Sequence, residues 1–155
     1  MIYAHDAMYM MYLIYIASDE KRCFQIEKRE ANQYSPLALA FLGDSVYEQL
    51  VREKLLVTAN MPAHKLHEAS VKKVRAGYQS MAAELISDML DDDEADILRR
   101  GRNAAGGVNH VPKSSNHAEY GRATGLEALF GWLHLQGKRD RINELFEYIW
   151  ERNVV

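Results

Sequence analysis

Apolar residues along this chain recur at helical spacing, and no stretch alternates for long enough to build a sheet. Ser35-Pro36 opens a helix, because serine supplies a capping oxygen and proline costs nothing where the first-turn N–H is unpaired anyway. That helix runs to about Leu56. A loop ends near Pro62, and a second helix covers His64 to Val74. Gly77 marks a kink or break before a third, roughly Tyr78 to Leu90. Asp91-Asp92-Asp93-Glu94 places acids at the positive start of a fourth helix, which Arg99-Arg100-Gly101 ends with cations at its negative pole. Ala104 to Asn116 is rich in Gly, Ser and Asn and reads as a loop. A fifth helix covers about Ala118 to Gln136, closed by Gly137 as a left-handed cap. The last runs from Asp140 to Arg152, with Ile142, Leu145, Phe146 and Ile149 on one face. The pattern predicts an all-α bundle without internal repeats.

Two of these helices are apolar nearly all round, so much of each is expected to be buried, and each carries one anomalous acid. Between Leu37 and Tyr47 it is Asp44; between Ala123 and Leu135 it is Glu127. A buried carboxylate must be paired, hydrogen-bonded or metal-bound, since leaving it unsatisfied costs roughly several kcal/mol. Either acid could simply pair with a buried Arg or Lys. Two in the two most apolar helices point instead to a shared hard cation such as Mg²⁺, which takes oxygen ligands and completes its shell with water and phosphate. Such an ion serves phosphodiester hydrolysis.

Thr124, Glu127, Gly131 and His134 fall on one helical stripe. Gly131 would admit a neighbouring helix closely, while Thr124 and His134 could support the metal ligands from behind. Asp44, Glu48 and Arg52 form a second stripe. Glu48 with Arg52 reads most simply as an i,i+4 ion pair, with contact to the metal through water as the alternative.

A length of 155 residues suits one domain with one core, and a formal charge of −3 advertises no global affinity for nucleic acid. The charge is segregated, however. Arg99 to Arg122 holds five basic residues against one acid, whereas Glu84 to Asp96 holds seven acids and no base. Arg99, Arg100, Arg102, Asn103, Lys113 and Arg122 are therefore candidate contacts to a polyanion, with the Gly101-to-Gly107 segment as a small-residue loop suited to a phosphate backbone. The lone Cys23 excludes an internal disulfide and a Cys-built zinc site. The apolar run from Ala7 to Ala17 is too short to span a bilayer and lacks the basic flank of a signal peptide, so a cytoplasmic protein with no membrane partner is expected. His64 with His67 has no nearby acid of metal-site spacing, and Ser45 has no His-Asp relay.

Phe41-Leu-Gly-Asp-Ser-Val-Tyr-Glu48 resembles the signature helix of the ribonuclease III family, and Gly125-Leu-Glu-Ala-Leu-Phe-Gly-Trp-Leu133 resembles its second acidic helix. With Arg100-Gly-Arg-Asn-Ala104 between them, the chain is most similar to the bacterial Mini-ribonuclease III subfamily, which lacks the double-stranded-RNA-binding domain. The resemblance covers residues 26–155 as a catalytic domain and leaves 1–25 as an N-terminal extension. It implies a homodimeric helical endonuclease domain that depends on Mg²⁺, with Mn²⁺ an acceptable substitute. It implies hydrolysis of double-stranded RNA to 5′-phosphate and 3′-hydroxyl ends, with large-subunit (23S) ribosomal RNA precursor as substrate. Asp44 and Glu127 match the acids that the subfamily retains, as catalytic residues and metal ligands. Larger family members carry two further acids, where this chain has Ala40 and Thr124, so its ligand set is thinner. The competing expectation is a catalytically inert helical module that binds RNA or assists ribosome assembly; a helical nucleotide pyrophosphatase would need more grouped acids.

Overall fold

The computed structural model describes residues 25–106 and 116–152. The apolar run at 7–17, Cys23, His110 and Lys113 lie outside them. Among the described residues every regular element is helical: α1 (Lys28–Ala31), α2 (Pro36–Thr58), α3 (Ala63–Val74), α4 (Ala76–Ile86), a 3₁₀ turn (Ser87–Met89), α5 (Asp92–Ala105), α6 (His117–Leu135) and α7 (Arg139–Glu151).

The starts of the helices follow the local chemistry. Ser35 Oγ accepts from Ala38 N at 3.1 Å with Pro36 in the first turn of α2. Asp91 and Glu94 form a reciprocal capping box at the head of α5. Asn116 caps α6 by accepting from Glu119 N at 2.8 Å. Gly137 takes the left-handed conformation that turns the chain from α6 into α7, at φ +69°.

α6 is the axis of the molecule. Eleven of its 19 residues are buried, among them Leu126, Leu129, Phe130, Trp132 and Leu133, and α2, α4, α5 and α7 pack around it. Tyr47 of α2 meets Phe130 and Phe146 edge-on, at ring-centroid distances of 5.4 and 5.8 Å, which joins α2, α6 and α7 in one core. Trp132 Nε1 donates to Asn32 Oδ1 at 2.8 Å and so ties the short α1 segment onto α6.

Four expectations need correction. The third helix stops at Ile86 and tightens into the 3₁₀ turn instead of reaching Leu90. Its break from α3 is at Arg75, in extended conformation, and Gly77 lies inside its first turn. The fourth helix does not end at Gly101 but continues to Ala105, so most of the supposed Gly101-to-Gly107 loop is helix. Gly101 is buried there because α5 passes α6 so closely that a Cβ would lie 2.9 Å from Gly125 Cα; the missing side chain serves the crossing and does not stop the helix. Finally, α2 is not buried all round: Leu37, Phe41, Leu56 and Val57 are exposed, and Asp44 itself is on the exposed side.

Candidate active site

The two anomalous acids come together where α2 crosses α6. At that point the helices touch backbone to backbone. A Cβ on Gly43 would sit 1.7 Å from the Glu127 carbonyl oxygen, and one on Gly131 would sit 2.0 Å from the Leu39 carbonyl oxygen. Only glycine fits at either place, as the spacing of Gly131 suggested. The crossing sets Asp44, next to Gly43, beside Glu127, one turn before Gly131.

Among the described residues neither carboxylate takes part in an ion pair. Their electrostatics show the strain of that arrangement. Burial, and then the charge of Asp44, push the Glu127 carboxyl up to about 8, and Gln79 opposes the rise by hydrogen bonding. That contact is loose: Gln79 Nε2 makes no hydrogen bond of normal geometry and is the one buried side-chain polar atom left unsatisfied among the described residues. Asp44 is also raised, first by partial burial and then by the charge of Glu48. Two neighbouring carboxyls with no ion-pair partner among the described residues, Glu127 partly buried and Asp44 on the open side, fit a divalent cation with oxygen preference. No group of three or more His, Cys, Asp or Glu converges among the described residues, so these two would hold such an ion with water and phosphate completing its shell.

The remaining candidates divide. Glu48 pairs with Arg52 at 2.6 Å, as the i,i+4 spacing indicated, while its charge still acts on Asp44. The Thr124 hydroxyl is buried and donates to its own helix at Tyr120 O, at 2.9 Å. His134 lies almost two turns beyond Glu127 and lines a separate cavity with Val46, Leu50, Glu53 and Ile142; burial lowers its pKa. Of the basic residues, Arg99 pairs with Asp96. Arg100 donates to the carbonyls of Asn32 and Tyr34, at 3.3 and 3.5 Å. Arg122 bonds Ser80 at 2.7 Å and Glu84 at 3.0 Å. Arg102 and Asn103 are exposed on the last turn of α5. The side chain that sequence reasoning overlooked is Gln79. The available signal was a lone amide in the small, apolar run of α4.

Known proteins share the helical fold. The Ribonuclease III domain family matches residues 37–138, and the chain belongs to this family of endoribonucleases. Within it, the chain is 42% identical over 113 residues to a Mini-ribonuclease 3 of Thermoanaerobacter sp. (strain X514), spanning 73% of this chain and 78% of the relative. A Mini-ribonuclease 3 of Synechococcus sp. is 44% identical over 105 residues, covering 68% and 73% of the two chains. A crystal structure of a Fusobacterium nucleatum protein superposes with a TM-score of 0.71 at 31% identity, covering 79% of this chain and 96% of that one.

Proposed function

We propose that this protein is a cytoplasmic endoribonuclease that cuts double-stranded RNA to 5′-phosphate and 3′-hydroxyl ends, with large-subunit ribosomal RNA precursor as its substrate. Asp44 and Glu127 hold Mg²⁺, for which Mn²⁺ substitutes. The observation that carries this reading is the pair itself: two carboxylates without a cation, locked side by side by the Gly43–Gly131 crossing. The bound ion supplies Lewis acidity toward water and phosphate. Asp44, on the open side, presents its carboxylate to the substrate; Glu127 lies deeper and anchors the ion from the wall. The choice of ribosomal RNA rests on the resemblance to Mini-ribonuclease III.

A-form RNA is gripped through phosphates and 2′-hydroxyls, and Arg102 with Asn103 are the exposed groups best suited to that on α5. We infer a homodimer as well, a reading that the outer face of α2 supports. Phe41 is 83% exposed at one end of that face. Leu56, at the other end, borders an apolar cavity of about 270 Å³ lined with Leu55, Leu66 and His67. A two-fold axis across α2 would bring each knob to the other copy's cavity, which is what an isologous contact requires. Sedimentation is expected to show a particle of twice the 17.8 kDa chain mass, and Phe41→Asp to halve it; a monomeric wild type at micromolar concentration would refute the dimer.

Cleavage of a duplex RNA across Mg²⁺ and salt concentrations tests the activity. The wild type should cut only with the divalent ion, and Asp44→Asn and Glu127→Gln should each lower the saturated rate by about a hundredfold or more, the scale on which a directly acting charged group registers. Arg102→Ala should leave the saturated rate alone and flatten the log-log salt dependence of binding by about one unit. A wild type that binds the duplex without cutting it would be the inert module.

A further inference from the structure

Gln79 does nothing for the fold that a hydrocarbon would not do better. It is 1% exposed, and its Nε2 has no partner of normal geometry. A buried donor left unmade costs about 1–3 kcal/mol, so an amide kept here calls for a state in which it is satisfied. Arg122 of α6 bonds Ser80 and Glu84 of α4, and Gln79, beside Ser80, lies against Glu127. No alternative acceptor is needed, because an ionised carboxylate offers about four lone-pair sites, of which a cation uses one or two.

We propose that Gln79 is a positioning residue for Glu127: its amide donates to one carboxylate oxygen and thereby turns the other toward the divalent cation. This rests on the reading that Glu127 holds that ion. Hydrogen bonds to ligating carboxylates orient them and tune their affinity. A neutral donor suits the task, since a lysine or arginine in its place would cancel the charge that binds the ion. The need for it is greater because the site has few ligands. Ala40 and Thr124, both buried nearby on the crossing helices, bring no carboxylate, and the Thr124 hydroxyl is committed to Tyr120 O. With two acids in place of four, the orientation of each counts for more.

The test is Mn²⁺ binding to the RNA-free full chain, followed by calorimetry and by the electron-spin resonance of free Mn²⁺, with the Mg²⁺ dependence of cleavage as a second readout. Gln79→Met removes the donor at nearly constant volume. It should melt no lower than wild type, bind Mn²⁺ about 10–100-fold more weakly, and need correspondingly more Mg²⁺ for half-maximal cleavage, with much of the rate restored at high Mg²⁺. A Gln79→Met protein that binds Mn²⁺ within about twofold of wild type, while Glu127→Gln does not, overturns the proposal and leaves the site reading intact. If Glu127→Gln binds Mn²⁺ as well as wild type does, the site reading itself fails. Gln79→Leu provides a second hydrocarbon, and failure of both variants to fold would make the amide structural and overturn the proposal as well.

Discussion

Glu94 and Glu127 are both acids drawn into the interior by their helices, and they are kept there in opposite ways. Glu94, at 2% exposure, is fully provided for. Arg141 reaches it twice, Nε to Oε1 at 2.9 Å and Nη2 to Oε2 at 2.8 Å, and the Asp91 backbone N–H donates to Oε2 at 3.1 Å. The Arg141 guanidinium is pushed still higher in pKa, chiefly by its hydrogen bond to Glu94. Glu127 is somewhat more open, yet its neighbours are a second acid and a loosely placed amide. Burial alone therefore marks neither a structural nor a functional carboxylate. The partners decide: Glu94 joins α5 to α7, whereas Glu127 is held at a cost that the apo fold does not recover.

The sharpest way to break this contrast is to remove the crossing that holds Glu127. Gly43→Ala forces a Cβ into the Glu127 carbonyl and should cost more than about 4 kcal/mol or prevent folding, as read from urea unfolding. A variant that unfolds like wild type would mean the helices can slide apart, and the fixed acid pair would be lost with them. Next in size, Glu94→Ala should cost about 3–5 kcal/mol, because it strands Arg141 in a partly buried position. A loss below about 1 kcal/mol would show that Glu94 is not the structural member of the comparison.

The smallest effect has the opposite sign. In the metal-free protein Glu127 titrates near 8 against an ordinary 4.5, so the folded state holds its proton more tightly than the unfolded chain does. That contribution is fully present below the unfolded value and is lost as pH rises through the folded one. Glu127→Gln should thus match wild type near pH 4, and at pH 8.5 in chelator it should be more stable by roughly 1–3 kcal/mol. Thermal melts at the two pH values, without divalent ions, measure it. A glutamine variant less stable than wild type at the higher pH would mean that an unseen cation already pairs with the acid.

How much of this was legible beforehand depended on whether the chemistry was local. Ser35 with Pro36, the Asp91 cap and Gly137 act on residues adjacent in sequence, and their effects were readable there. Gly101 was not, because a glycine that ends a helix and one that lets another helix pass look alike until the second helix is in place. Asp44 seemed interior because Leu37 and Phe41 share its helix; an apolar face turned outward carries the same residues as one turned inward. Charge was visible at Arg100 and Arg122, but its commitment to the Asn32 and Tyr34 carbonyls, or to Ser80 and Glu84, depends on distant parts of the chain. The Asp44–Glu127 pair emerged because an isolated acid is conspicuous among hydrocarbons. Gln79 stayed hidden because an uncharged amide is not.

The enclosure of α6 has a kinetic consequence. Beyond its open first turn, a segment wrapped by four neighbouring helices has little private route to solvent, so the amide hydrogens of its buried stretch, Gly121 to Leu133, exchange chiefly when the whole domain opens. Glu127 rides on that segment. Local breathing of the kind that loosens chain ends and surface turns cannot release it, and the half of the site that it supplies has the lifetime of the native state itself.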